Sequence, residues 1–390
     1  MARTAGMRKP VVSVVRCPQH DDYGKIHRSV QEAVNLIGGF EAVVSPGDRV
    51  LLKPNLLCPK PYTTGATTNP HLIRAVADLC RRAGAKEITV ADGAAVGHST
   101  TAVFENCGLL EMAREDDLAL VDFAKDEYQQ VVNPLGKLWK RMRVPKTFLQ
   151  ANVVINLPVM KTHDALGVTL GLKNMKGIIH VSDKKRFHKW GLAQSIVDLN
   201  HIALAELTIM DGTVGMEGDG PVAGDPVNLG IVMAATDTVA CDRVACAIMG
   251  FSGDEVEYIA MAGEQGLGQF ELEGISVVGE TIESVRRPFR RISLDQEKLD
   301  QLGIHLFGYD ACSGCSHAVK SFLLGLERKG GIGQLRGHNI IYGQNARIPE
   351  GVEGIMVRVG VCTRELCGAG AVYIPGCPPH PEHMEEKLNL

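Results

Sequence analysis

The chain has 390 residues, a net charge of −4, 45% hydrophobic and 22% charged residues. That length exceeds one ordinary core and predicts two domains, and the near-balanced charge offers no basic surface to a polyanion, so nucleic acid is excluded as an expected partner. No stretch approaches the roughly 18 apolar residues of a membrane span, and the apolar run in "MARTAGMRKPVVSVVRC" is too short for a secretory signal; a cytoplasmic protein with no membrane partner is expected.

In chain order, strands and helices alternate. "PVVSVV" reads as a strand and "IHRSVQEAVNLI" as a helix with apolar residues at helical spacing. "DRVLLKPNLL" is a strand running into a Pro-Asn turn. "NPHLIRAVADLCRRAGA" is a helix with Asn69 as N-cap, Pro70 at its first position and Gly84 at its end. "KEITVADG", "LALVDF", "ANVVINLPV", "LTIMDG" and "NLGIVMAA" are short apolar runs suited to strands buried on both faces. "TTAVFENCGLLEMA" reads as one helix, and Asp237 and Asp242 as cap and first-turn residues of the helix in "TVACDRVACAIMG". The fold class predicted is α/β: a mostly parallel sheet with helices on both faces over residues 1–290. The polar stretch "SVRRPFRRISLDQEKLD" separates it from a smaller C-terminal α/β domain over 300–390.

Eleven cysteines in a chain without a recognisable export signal point to a reducing compartment, where a cluster of cysteines is better explained by metal than by disulfides. Cys17, Cys80, Cys107, Cys241 and Cys246 stand singly in strands or helices and read as packed thiols. Five others crowd the C-terminal domain. Cys312 and Cys315 form "CSGC" just before a helix, Cys362 ends "IMVRVGV", Cys367 lies in "TRELCGAGA", and Cys377 lies in "YIPGCPPHP". A C-x-x-C can reach one metal centre from a single turn, and strand ends are where sites gather in open α/β sheets. Four thiolates suit zinc or an iron–sulfur cluster. The Cys-Pro end favours the cluster, because such an end also closes the bacterial ferredoxin run. The expected ligands are Cys312, Cys315, Cys362 and Cys377 on one 4Fe–4S cluster, with zinc as the alternative metal and Cys367 as the alternative fourth ligand.

With "KPNLL", "TTNPHLI", "ADG", "VINLPVMKTHDALGVTLGLKNMKGII", "DGTVGMEGDGP" and "DTVACDRV", the chain resembles the family called domain of unknown function 362 along nearly its whole length. The resemblance implies the fold and the iron–sulfur character that many members show, some of them ending in a "GCPP" loop as here. It implies no reaction.

The stretch "VVINLPVMKTHDALGVTLGLKNMKGIIHVSDKKRFHKW" brings Asn156, Lys161, His163, Lys173, Asn174, Lys176 and His180 together, and reads as a loop with at most one turn of helix. Lysines on a glycine-rich loop after a buried strand suit an anion. Lys161 and Lys173 are expected to bind it, with Asn156 and Asn174 orienting it and Lys176 beside them. His163 is a candidate proton donor or acceptor, since an imidazole titrates near pH 6.5. Lys53 and Asn55 follow "RVLL", Asp92 follows "ITVA" and Asp211 follows "LTIM", so parallel strands would bring all four to one edge. Candidate catalytic groups are therefore His163, Lys161 and Asp211, and candidate substrate-binding groups Lys53, Asn55, Asp92, Asn156, Lys173, Asn174 and Lys176. Dinucleotide and P-loop fingerprints are absent. The function expected is an iron–sulfur oxidoreductase acting on a small anionic substrate with a ferredoxin as donor. A non-redox enzyme with a structural or Lewis-acid cluster, or a redox sensor or electron carrier, are the alternatives.

Overall fold

A computed structural model describes residues 9–366 and 371–390. The chain divides into two compact units: Met1–Lys184 with Ala193–Arg291, and Lys185–Leu192 with Ile292–Leu390.

In the first unit the strands are β1 (Val11–Arg16), β2 (Arg49–Pro54), β3 (Glu87–Asp92), β4 (Ala119–Asp122), β5 (Tyr128–Val132), β6 (Arg141–Pro145), β7 (Val153–Leu157), β8 (Val159–His163), β9 (Gly167–Thr169), β10 (Leu207–Glu217), β11 (Asp225–Val227), β12 (Ile231–Ala235) and β13 (Ser276–Gly279). The central sheet runs β13-β1-β12-β10-β7-β2-β3-β4. Its pairs are parallel except those of β12, which lies antiparallel to β1 and β10. Continuous apolar runs became strands buried on both faces: all five residues of β7 and all five of β12 are buried.

Local chemistry sets the helix starts. Asn69 caps helix Pro70–Arg82 by accepting from the His71 N–H, with Pro70 supplying the fixed φ of a first helical position. Asp237 caps helix Thr238–Ile248 through the Ala240 N–H. Asp242 is no first-turn residue; it is fully buried within that helix and accepts from the Gly171 and Leu172 N–H groups at 2.7 and 2.9 Å.

Three expectations are corrected. The single helix over "TTAVFENCGLLEMA" is two, Thr100–Asn106 and Leu109–Glu115, broken at Gly108, whose φ is +72°. Strand β10 does not stop at Asp211 but continues through "DGTVGME", paired with β8 and β11. The stretch after β7 is not a loop: β8 and β9 form an antiparallel pair, and helical turns span Gly171–Ile178.

The second unit holds β14 (His305–Gly308), β15 (His338–Tyr342), β16 (Ile355–Val359) and β17 (Val372–Ile374) in that spatial order, all parallel. Helix Ser313–Arg328 buries Val319, Phe322, Leu323 and Leu326 in a core with Ile340, Val357, Val359 and Ile374.

Candidate functional site

In the first unit β2 pairs with β3 on one side and β7 on the other, so the chain reverses its direction of growth across the sheet there. Open α/β sheets bind ligands outside the carboxyl ends of strands at such a point. Asp92 closes β3, and Lys53 and Asn156 each lie one residue from the ends of β2 and β7.

The side chains form a buried network. Lys53 and Lys161 have no exposed surface. The Lys53 ammonium lies 2.7 Å from Asp92 Oδ1 and donates to the Pro54 carbonyl at 2.7 Å. Lys161 Nζ donates to Asn55 Oδ1 at 2.9 Å and to the Ala66 carbonyl at 2.8 Å. Asn174 links them: its Oδ1 accepts from Asn55 Nδ2 at 2.9 Å, and its Nδ2 donates to Asn156 Oδ1 at 2.7 Å and the Lys53 carbonyl at 3.1 Å. Asn156 in turn donates to the Gly171 carbonyl. Gly177 packs so tightly that a Cβ there would lie 2.0 Å from Asp92 Oδ1 and 2.7 Å from Lys53 Nζ; a side chain would break the ion pair apart.

Burial lowers the pKa of each of these amines, because a low-dielectric surrounding disfavours the charged form. It brings Lys161 down to about 7, against a smaller opposing effect of the nearby Cys58 sulfur. Lys173 falls to about 8, with Asp164 opposing the drop; its Nζ donates to Thr169 Oγ1 at 3.1 Å. Lys176 falls well below its ordinary range, helped by the charges of Lys173 and Lys184. Lys53 is lowered by burial while Asp92 pulls it back.

Of the expected residues, Lys53, Asn55, Asp92, Asn156, Lys161 and Asn174 thus share one hydrogen-bonded network, and Lys173 and Lys176 join it through charge. A solvated basic surface is not what the stretch forms. Asp211 is bonded elsewhere: it accepts from the Asn69 N–H at 2.8 Å and from the Thr213 N–H and hydroxyl at 3.0 and 2.7 Å, the role of a local backbone anchor. His163, at the end of β8, has Nδ1 3.1 Å from Asp164 Oδ1 and accepts from the Ala165 N–H at 3.1 Å. His180 lies edge-on to the Tyr128 ring.

Sequence reasoning passed over Lys184. It reads as part of the charged run "SDKKRFHK", yet it is buried and donates to the Gly93 and Ala94 carbonyls at 2.8 and 2.7 Å. No sequence signal separates it from its exposed neighbour Lys185. A broad depression of about 330 Å³ lies along helix Tyr23–Asn35. Its lining residues, Arg28, Gln31, Glu32, Asn35 and Leu36, all belong to that helix and its cap and converge on nothing.

In the second unit, Cys312, Cys362 and Cys377 each follow the carboxyl end of a parallel strand, β14, β16 and β17. Cys312 is the N-cap of helix Ser313–Arg328 and Cys315 sits in its first turn. The loops are tied together: the Gly360 N–H donates to the Ile374 carbonyl and the Val361 N–H to the Gly376 carbonyl, both at 2.9 Å. Gly360 (φ +91°) brings its backbone so close that a Cβ would lie 3.2 Å from Cys315 Sγ, and a Cβ on Gly314 would touch Pro378 at 3.4 Å. His188 Nδ1 pairs with Ser313 Oγ at 2.8 Å.

The thiols feel one another. The Cys315 S–H donates to Cys312, which lowers the Cys312 pKa and raises that of Cys315, and backbone N–H groups of the helix start add to the Cys312 shift. Cys377 is raised by burial and by the sulfurs of Cys312 and Cys362, with Lys185 and Lys189 opposing. Cys315 is buried, Cys312 half-buried, Cys362 and Cys377 exposed. Pro379 is buried but Pro378 is not, so the prolines cover the sulfur only in part. Among the described residues, no three His, Cys, Asp or Glu side chains gather at the distances of a single bound ion. Cys367 lies outside the described residues.

A family model described as "Domain of unknown function (DUF362)" matches residues 50–247. The chain belongs to this family. Apart from Lys185–Leu192, the matched span lies in the first unit, so the family match covers the lysine network and not Cys312, Cys315, Cys362 or Cys377. A thylakoid-associated protein of Synechocystis sp. (strain ATCC 27184 / PCC 6803 / Kazusa) is 33% identical over 265 residues, 66% of this chain and 79% of that protein. Among solved structures, the lactate racemase apoprotein from Thermoanaerobacterium thermosaccharolyticum is 12% identical with a TM-score of 0.40, covering 63% of this chain and 58% of its own. A Thermotoga maritima protein is also 12% identical, with a TM-score of 0.33, over 62% and 58%. Neither is close enough to carry a functional argument. No helix among the described residues is long and apolar enough to cross a membrane.

Proposed function

We propose that the chain is an iron–sulfur protein, a ferredoxin-linked oxidoreductase whose first unit holds a small anionic substrate. The observation behind it is the placement of Cys312, Cys362 and Cys377 after the carboxyl ends of three strands of one parallel sheet, with Cys315 in the helical turn that Cys312 caps. Thiolates at these positions repel, and a cationic iron core relieves that repulsion. Cys312, Cys315, Cys362 and Cys377 would hold one 4Fe–4S cluster, which would supply single-electron transfer when bound. Ligands of a cluster grip different irons and so stand further apart than ligands of one zinc ion. The Gly360 and Gly314 backbones let the loops close around the sulfurs, and the helix start favours the anionic form of Cys312.

In the first unit, the Lys173 ammonium has one hydrogen on Thr169 and the Lys184 ammonium has two on main-chain carbonyls, which leaves donors for an anion in a region where lysines outnumber carboxylates. The Asn55–Asn174–Asn156 chain fixes where the lysines point. A cytoplasmic location, where thiols stay reduced, belongs to the same reading.

The test is anaerobic purification followed by iron, sulfide and zinc analysis. About four irons per chain are expected; one zinc and no iron would sink the cluster. A reductive titration then separates the enzyme from its alternatives. Reduction near the roughly −400 mV of plant-type ferredoxins supports electron transfer. A cluster inert at that potential turns the reading to a structural or Lewis-acid role.

A further inference from the structure

A cavity of about 60 Å³ opens beside the lysine network, at the loop that follows β3. On the same measure one water needs roughly 10–15 Å³, so about four to six non-hydrogen atoms fit. Lys184, Thr100, Tyr128 and His98 supply polar lining. An ammonium has three donors, and two of those on Lys184 go to the Gly93 and Ala94 carbonyls. Thr100 Oγ1 accepts from the Ala94 N–H at 3.2 Å, which leaves its own hydrogen to donate. Ala94, Ala95, Ile179 and Val181 supply apolar lining, and no acidic side chain is among the described walls. The charged groups close to Lys184 are Asp92, Asp122 and Lys53, with Lys176 near as well.

We infer that this cavity receives a short aliphatic carboxylate of about three carbons, its carboxylate on Lys184 and Thr100 and its chain against the alanines, Ile179 and Val181. A phosphate has the charge but nothing to place against the apolar lining, and a nucleotide exceeds the volume. The inference deepens the anionic-substrate reading and rests on it; the cluster is not needed for it.

Titration of the full chain with propionate, inorganic phosphate and hexanoate, followed by calorimetry or ligand-observed NMR, tests it. Propionate should bind at least tenfold more tightly than the other two. Lys184→Gln should weaken it by roughly tenfold to a hundredfold, the effect of losing a charge-assisted bond. Because Lys184 also holds two carbonyls, Ala95→Leu provides a second variant that fills the cavity and leaves those bonds in place. It should lose propionate to the same degree with an unchanged melting temperature. Propionate binding that survives Ala95→Leu overturns the site, as does a preference for phosphate. Phosphate binding that Lys173→Ala abolishes and Ala95→Leu spares would overturn this site while keeping an anion in the lysine network. Propionate binding in anaerobically purified protein that carries one zinc and no iron would uphold the site while the cluster reading falls.

Discussion

Lys53, Lys161 and Lys184 lie in an apolar interior, and each meets oxygens of its own unit: a carboxylate, an asparagine, main-chain carbonyls. The sulfurs of the second unit meet chiefly one another. The difference separates a polar core paired within its own unit from a group of thiols that act chiefly on one another. Buried charge must be paired to be tolerated, so the first unit is organised before any substrate arrives. Among the described residues the charges that oppose the rise of Cys377 are Lys185 and Lys189, and on the reading proposed above a bound cluster would organise the loops.

That contrast predicts opposite mutational behaviour. Single changes Cys312→Ser, Cys315→Ser, Cys362→Ser and Cys377→Ser should each lose most of the iron, while thermal unfolding of the first unit stays as in the wild type. Cys367→Ser should keep its iron. Iron content and the low-temperature electron spin spectrum report both. Should Cys367→Ser lose the cluster and Cys362→Ser retain it, the fourth ligand is Cys367.

In the first unit the large effect is on stability. Lys53→Met leaves Asp92 buried on the Leu56 and Gly93 N–H groups at 2.7 and 2.8 Å, without its ion-pair partner and with the Lys184 charge still nearby. Breaking a buried pair by removing one partner costs about 3–5 kcal/mol. Urea unfolding would measure this, and a loss below about 1 kcal/mol would mean that water reaches Asp92.

How much of this was legible follows the same division. Continuous apolar runs announced the parallel sheet, and Asn-Pro and Asp-Thr announced the caps at Asn69 and Asp237. The thiols stood out because glycine and proline around Cys315 and Cys377 have no packing role in a core. Burial of Lys53 and Lys161 was not legible. Lysine is a surface residue by habit, and the acceptors of Lys161 lie 106 and 95 residues away in sequence. Local pattern cannot report such partners. Asp211 misled for the converse reason: Asp-Gly reads as a turn, whereas β10 continues because β8 and β11 pair with its far half. Lys184 looked like its exposed neighbours, and only the carbonyls of Gly93 and Ala94 distinguish it.

The pH dependence of stability sharpens the picture of the buried lysines. Lys161 has a folded pKa of about 7, below the roughly 10.4 of a free lysine. Between those values the unfolded chain carries a proton that the folded chain lacks, so stability gained from this group rises with pH across that window. Lys161→Met removes the difference. Its stability should rise by about 2–3 kcal/mol less than the wild type's between pH 8 and pH 10, at about 1.4 kcal/mol per unit. The buried thiols titrate oppositely but are common to both proteins and cancel. Parallel curves would mean that Lys161 stays charged in the fold.

The smallest effect belongs to a pair with the same chemistry as Lys53–Asp92 in a wetter place. Arg287 donates to Glu217 Oε2 at 3.0 Å at the end of β10, with the arginine side chain 45% exposed. Water competes for both groups there, and the Arg290 N–H still holds the Glu217 carboxylate at 3.0 Å if the guanidinium goes. Exposed pairs contribute about 0.2–1 kcal/mol and weaken with salt. Arg287→Gln should therefore cost less than about 1 kcal/mol in urea unfolding, and the cost should shrink further in about 1 M salt. A loss as large as that of Lys53→Met would mean that charge pairing, and not burial, sets the stability of the first unit.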